Sequence, residues 1–275
     1  MGSSHQGEDV ETGHVSVPDG SVAYTVQGAG PVVVFAHGLG GNQRSWWQQV
    51  GAFSRHFRCV AFSHRGFDPS WDSSGAPRPP CFASDLRCLL DHLRVETASI
   101  VGQSMGGWTA MEFALAYPGR VDALVLCGST GTLRHAGLRS LGDTAADPRI
   151  QAWRAAGIQP AAGARMAEEQ PELHRMFVDI DRASGTFDRA AVRAALDAMR
   201  VRSPADIAAI DRPTLAMVGE EDLICPPGNV SILAGVMANC ERHVVPRAGH
   251  SVYFERAETF NAMTLDFLHR QELPS

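Results

Sequence analysis

The sequence predicts an α/β fold built on a mostly parallel, doubly wound sheet. Three observations carry that prediction. Short apolar runs rich in Val, Ile and Leu alternate along the chain with runs whose apolar residues recur at helical spacing. The strand-like runs, Pro31 to Ala36 among them, are continuously apolar, as strands buried on both faces are. Gly102-Gln103-Ser104-Met105-Gly106-Gly107 joins one such run, Ala98 to Val101, directly to a helix-like run from Trp108 to Tyr117. Repeated strand–helix alternation means right-handed crossovers and parallel neighbours.

The first two strands differ from the rest. Val15 to Val17 and Val22 to Val26 flank Pro18-Asp19-Gly20, a hairpin signal. After the run Pro31 to Ala36 and the loop His37-Gly38-Leu39-Gly40-Gly41, Ser45 to Phe57 reads as a helix with Trp46, Val50 and Phe53 on one side. Arg58 to Phe62 is the next strand. A loop rich in Pro, Ser and Gly follows from Ser63 to Pro80. Cys81 to Leu93 is an amphipathic helix carrying Phe82, Leu86, Leu89, Leu90 and Leu93. The elbow strand and helix come next, then a strand from Ala123 to Cys127.

The rhythm breaks after Gly128-Ser129-Thr130-Gly131. No strand-like run occurs before Pro204, while Val192, Leu196 and Met199 share one helical face. Residues 131–204 are therefore expected to be a helical insertion over the sheet edge, a lid. The core is expected in 14–130 and 205–272. The βα pattern resumes at Thr214 to Val218, with a helix from about Asn229 to Met237, a strand at Arg242 to Val245 and a closing helix from Glu255 to Arg270.

Composition narrows the function. The 275 residues are 44% hydrophobic and 20% charged, ordinary for a soluble globular chain. A net charge of -6 argues against nucleic acid or an anionic membrane as partner. No apolar run approaches the roughly 20 residues of a membrane helix. The 6 cysteines are scattered, without metal-ligand spacing or a disulfide framework, which suits free thiols in a reducing cytoplasm. Residues 1–13 are polar, lack an apolar signal core, and are set aside as a flexible or vector-derived leader.

The strand–Gly-x-Ser-x-Gly–helix context of Ser104 is that of a nucleophile elbow: a sharp turn lifts the hydroxyl clear of the sheet at a helix N-terminus. A serine hydroxyl needs a base, and the base an orienting acid. In a parallel sheet the loops after the strands emerge at one edge. Ser104, Asp222 and His250 all lie on such loops. His250 follows Gly249 and precedes a helix, unlike the other histidines among the 11. Asp222 is favoured as the acid, although Glu220 and Glu221 adjoin it; Asp211 precedes its strand and should lie at the opposite edge.

With His37-Gly38-Leu39-Gly40-Gly41, Arg65-Gly66, the elbow, Gly219 to Asp222 and Ala248-Gly249-His250, the chain resembles the α/β-hydrolase superfamily. The likeness is to its lid-bearing branch of esterases, lactonases, C–C hydrolases and haloperoxidases, and spans about Val15 to Leu268. The resemblance implies an oxyanion hole from the backbone N–H groups of Leu39 and Met105, with His37 bracing the loop. It also exposes a departure. The family usually has an acidic residue, one position, Arg-Gly, another position and Gly; here Ser63 and Asp68 occupy the first and last of these positions. Either the loop tolerates drift, or Asp68 has become the partner of Arg65 or faces the pocket.

Trp47 and Trp108 flank the oxyanion-hole loops, and Met176 and Phe177 lie in the insertion; these four are candidates for the pocket wall. The expected activity is hydrolysis of a carboxylic ester or lactone through an acyl-enzyme, on a small-molecule substrate and without metal or organic cofactor. The protein is expected to be a monomer or homodimer. C–C bond hydrolysis is the nearest alternative; enzymes of that kind often carry an aromatic residue directly after the histidine, where this chain has Ser251. Cofactor-free haloperoxidase-like chemistry uses the same triad. From another class, a receptor or scaffold could occupy a hydrolase fold.

Overall fold

A computed structural model describes residues 10–272. The strands β1 (Glu11–Val17) and β2 (Gly20–Gln27) form the expected hairpin around Asp19. The strand β1 begins earlier than its apolar residues do, so residues 11–13 belong to the sheet rather than to a leader; residues 1–9 lie outside the described residues. Ladder hydrogen bonds there need only backbone, and Glu11 pairs with Val26 without an apolar side chain.

The order continues with β3 (Val32–Ala36), α1 (Trp47–Phe53), β4 (Arg58–Phe62), a two-residue β5 (Trp71–Asp72), α2 (Phe82–His92), β6 (Ala98–Gln103), α3 (Met105–Ala116) and β7 (Val121–Cys127). Between β7 and the next strand come six helices, the first five being α4 (Leu141–Ala145), α5 (Pro148–Ala155), α6 (Gly163–Glu169), α7 (Pro171–Arg182) and α8 (Arg189–Ala198). After α9 (Pro204–Ala208) the chain returns to the sheet with β8 (Thr214–Gly219), α10 (Pro227–Val236), β9 (Cys240–Val245), α11 (Val252–Glu255) and α12 (Ala257–Glu272).

The sheet order is β1-β2-β4-β3-β6-β7-β8-β9, with β5 beside β2. From β4 to β9 every neighbour is parallel; β1 and β2 are antiparallel additions at one edge. In β3, Val34 and Ala36 join a core with Leu86, Leu90, Met111 and Phe113, whereas Val33 and Phe35 join another with Phe53, Phe254, Phe260 and Phe267. That two-sided burial is why the strand carries no polar alternation.

The helix expected from Ser45 to Phe57 is shorter and later. Gln43–Trp46 is a 3-10 turn capped by Asn42, and α1 ends at Phe53 before a tight turn delivers the chain to β4. The change of helical pitch separates two adjacent tryptophans. Trp46 is fully buried against Phe35 and Tyr253, while Trp47 is 49% exposed.

Residues entering and leaving the five-helix segment meet: Leu133 and Arg202 form an isolated parallel bridge, and Arg202 pairs with Glu112 of α3. The helix α8 is anchored from below by the Trp108 indole N–H, which donates to Leu196 O at 3.0 Å. Asp188 caps it by accepting from the N–H groups of Ala190 and Ala191.

Candidate active site

Ser104 is the single residue between β6 and α3, and its φ of 48° is a left-handed conformation that a side chain rarely adopts. The turn closes because Gly106 has no side chain: a Cβ there would lie 2.0 Å from Ala36 O. Ser104 N–H donates to Cys127 O, and Ser129 Oγ donates to Ser104 O. Both bonds fix the strained residue to the end of β7. Gln103, buried beneath it, donates from Nε2 to His250 O at 3.5 Å.

His250 sits on the loop after β9. Its Nδ1 lies 2.8 Å from Asp222 Oδ2, and both side chains are buried. The other Asp222 oxygen accepts from the N–H groups of Ile224 and Cys225, so the carboxylate has no freedom to turn. Donation from Nδ1 leaves Nε2 as the acceptor, the form a general base requires. Gly128, with φ of 57°, passes against the imidazole; a Cβ would come 3.0 Å from Nδ1. The neighbouring carboxylates are committed elsewhere. Glu221 is held by Arg165 of α6, and Glu220 Oε2 accepts from Arg247 N–H.

Ser104 and His250 line one cavity of about 390 Å³, together with Leu39, Met105 and Trp108. Helices of the inserted segment complete its wall with Ile150, Phe177 and Leu196. Met105 is the first residue of α3, so its N–H has no intrahelical partner. Leu39 N–H has no hydrogen-bond partner among the described residues. Of the four residues considered for the pocket wall, Trp108 and Phe177 line the cavity. Trp47 and Met176 do not: both are exposed, Met176 at 43%. Leu173, Phe177 and Ile180 form the inward stripe of α7, which leaves Met176 outside it.

The oxyanion-side loop rests on two buried histidines. His37 Nδ1–H donates to Gly38 O at 2.8 Å, and His37 Nε2 accepts from His64 N–H at 2.9 Å. The His64 ring meets His37 Nε2 and Thr109 Oγ1. Burial pushes His37 down to about 4, and burial with the neighbouring His37 holds His64 well below the usual imidazole range.

The family described as alpha/beta hydrolase fold matches residues 31–257. The chain belongs to the α/β-hydrolase family. A 2-hydroxy-6-oxononadienedioate/2-hydroxy-6-oxononatrienedioate hydrolase of Paraburkholderia xenovorans is 30% identical over an alignment that covers 91% of this chain and 92% of the relative. Among solved structures, Est816, described as an N-acyl homoserine lactone degrading enzyme, superposes with a TM-score of 0.79 at 26% identity, over 93% of this chain and 100% of that one. The enol-lactonase from Burkholderia xenovorans gives a TM-score of 0.79 at 25% identity, over 94% and 100%. These likenesses make this hydrolase an enzyme of a family with varied substrates.

The departure at Ser63 and Asp68 has a structural answer in this hydrolase. Arg65 is buried and its carboxylate partners are Asp85 of α2 and Asp72 of β5, not Asp68. Burial raises the Asp85 pKa against the pull of Arg65. Asp68 is exposed and lies outside the cavity lining, so neither role considered for it holds. Ser63 ties β4 to the 3-10 turn, with Oγ donating to Gln43 Oε1 and accepting from Gln43 N–H.

Several residues of the site were not singled out from the sequence. Glu255 Oε2 accepts from Gly249 N–H at 2.7 Å and so pins the histidine loop from α11. Burial raises its pKa in opposition to that bond. Arg154, Asp181, Arg189 and Arg193 bring charge to the cavity wall. The available signal was the spacing of Arg189 and Arg193, one helical turn apart on a helix whose Val192 and Leu196 point inward.

Proposed function

We propose that this chain is a serine hydrolase acting on a carboxylic ester or lactone through an acyl-enzyme. Ser104 Oγ attacks the carbonyl, and His250 Nε2 takes its proton and returns it to the leaving alcohol. Asp222 holds the tautomer and stabilises the imidazolium. Leu39 and Met105 N–H groups receive the oxyanion; one such donor contributes roughly 3–4 kcal/mol to the transition state in a serine protease. Water activated by His250 then releases the acid.

The observation that carries this reading is the 2.8 Å Asp222–His250 contact opening on the same cavity as a serine with φ of 48°. The lactone-acting solved structures support the ester or lactone choice. Residues 131–204 act in this reading as a lid on a core of 14–130 and 205–272, since α5, α7 and α8 contribute to the cavity wall. A second reading, hydrolysis of a 2-hydroxy-6-oxo dienedioate, rests on the relative of that name; the small Ser251 beside His250 speaks against it.

The test is a series of 4-nitrophenyl esters of rising chain length beside a panel of small lactones, with wild type and Ser104→Ala. Turnover of one class that Ser104→Ala abolishes is the expected result. Turnover surviving in a folded Ser104→Ala protein would exclude the acyl-enzyme.

A further inference from the structure

Three arginines and one carboxylate line the catalytic cavity: Arg154 of α5, Arg189 and Arg193 of α8, and Asp181 of α7, with Asp181 and Arg189 standing against Gly40. Their bonding is unequal. Arg189 is paired with Asp181, Nη2 to Oδ1 at 3.0 Å. Arg154 has one hydrogen bond, from Nη1 to Ala145 O, and keeps its other donors. Arg193 is half-buried, and its guanidinium makes no hydrogen bond or ion pair among the described residues. Asp188 and Asp197 on the same helix attract it from a distance, but neither reaches ion-pair range.

Burial, then the like charges of Arg154 and Arg189, push the Arg193 guanidinium down. An arginine nevertheless stays protonated. A half-buried guanidinium with no ion partner keeps its donors free for an anion that enters the cavity. Ile150, Phe177 and Leu196 add apolar surface to the same wall, with Thr144 and Gln159 as neutral polar residues. Arg200 provides the contrast. It lies over the Trp108 ring, donates to Arg139 O and has Asp197 at 3.8 Å, and it does not line the cavity.

We infer that Arg193, with Arg154 beside it, is an anion subsite, and that the substrate carries a carboxylate remote from its scissile ester or lactone bond. A guanidinium presents a planar fork of donors that matches a carboxylate. The apolar lining residues Ile150, Phe177 and Leu196 would accommodate the hydrocarbon joining the two groups. Arg189 is excluded from the direct contact because Asp181 already occupies it. The inference rests on the serine-hydrolase reading for its chemistry, but the subsite itself binds an anion whether or not Ser104 turns it over.

The experiment compares ω-carboxylate esters with neutral esters of equal acyl length. Monoethyl glutarate, adipate, pimelate and suberate are set against ethyl pentanoate, hexanoate, heptanoate and octanoate, with acid release followed at constant pH. At least one charged ester should be preferred by about tenfold or more in kcat/KM, the lower end for a charge-assisted hydrogen bond. Arg193→Gln should reduce that ratio to near unity. Arg193→Lys should keep part of it, and Arg154→Gln should lower it to an intermediate value. Binding of adipate to the wild-type protein, measured by calorimetry, is the second readout, with loss in Arg193→Gln expected.

Neutral esters turned over as well as every charged homologue would overturn the subsite and leave the hydrolase reading standing. A ratio unchanged in folded Arg193→Gln would do the same. Adipate binding that depends on Arg193, without turnover of any ester or lactone, would uphold the subsite and overturn the ester reading. Neither binding nor turnover would overturn both.

Discussion

Asp222 Oδ2 stands 2.8 Å from His250 Nδ1, and both side chains are buried. Three carboxylates follow one another on that loop, yet they have separate tasks. Glu220 receives a backbone N–H, Glu221 holds Arg165 of the helical segment, and Asp222 alone meets the imidazole. Asp222→Asn preserves the shape but favours the wrong tautomer. It should lower kcat by about 10⁴, the scale seen for that change in a serine protease. Glu220→Gln and Glu221→Gln should each cost less than about tenfold, near 1.4 kcal/mol. Rates on one soluble ester, with folding checked by circular dichroism, decide the matter. An active Asp222→Asn beside a crippled glutamate variant would transfer the role.

The buried Arg65 separates structural carboxylates from bystanders. Asp85→Asn leaves a guanidinium that is 2% exposed without its main counter-charge. Removing one member of such a pair typically costs about 3–5 kcal/mol. Asp68→Gly should change stability by no more than about 1 kcal/mol, because Asp68 is exposed and unconnected to Arg65. Urea unfolding of the two variants tests this. Equal losses would mean that the loop depends on Asp68 in a way its contacts do not reveal.

The parts legible in the sequence share a property: local pattern alone determines them. Val33, Val34 and Phe35 are buried on both faces of the sheet, so their run has no alternation to misread. Ser104, Asp222 and His250 are fixed to strand ends by short loops, and strand ends in a parallel sheet converge. What escaped depends on rotation about a helix or on distant partners. Met176 and Phe177 adjoin in sequence, but only the phase set by Leu173 and Ile180 says which faces inward. Trp46 packs inward, as its spacing with Phe53 implies, while the adjoining Trp47 faces outward rather than into the cavity. Asp85, twenty residues from Arg65, carries no mark in the sequence of its buried pairing. Glu11 to Gly13 join β1 through backbone bonds that composition does not record.

Two glycine substitutions discriminate a close approach from a merely small residue. In Gly106→Ala the new Cβ would stand 2.0 Å from a backbone oxygen of β3, so the elbow must open. Both the melting temperature and turnover should fall. Gly51 lies in α1 with nothing within 4 Å of the same added atom. Gly51→Ala should leave activity alone and raise stability by up to about 1 kcal/mol through helix propensity. If Gly106→Ala melted like wild type, the strand–helix contact would be softer than its geometry implies.

The paired histidines under the oxyanion-side loop should make stability fall on mild acidification. In the folded chain His37 Nε2 accepts from His64 N–H while Nδ1–H donates to Gly38 O, so a second proton on His37 would face a donor. Its pKa is lowered by burial to about 4, and that of His64 is also lowered, first by burial and then by His37. Folded-state values below the unfolded value of about 6.5 mean that the unfolded chain binds more protons in this interval. The stabilisation is therefore complete above about pH 6.5 and lost as pH falls from there towards 4. For His37 the loss between about pH 7.5 and pH 5 is on the order of 2 kcal/mol, and His64 acts in the same direction. Asp85, Asp181 and Glu255, whose values are raised chiefly by burial, act with opposite sign, and His174, lowered by burial, acts with the same sign. A variant comparison cancels these groups. His64→Gln should be less stable than wild type at pH 7.5, and the gap should narrow at pH 5. Urea unfolding at the two pH values measures both. Parallel pH profiles for the two proteins would show that His64 carries a proton as readily folded as unfolded, and the histidine pair could not then be the source of acid sensitivity.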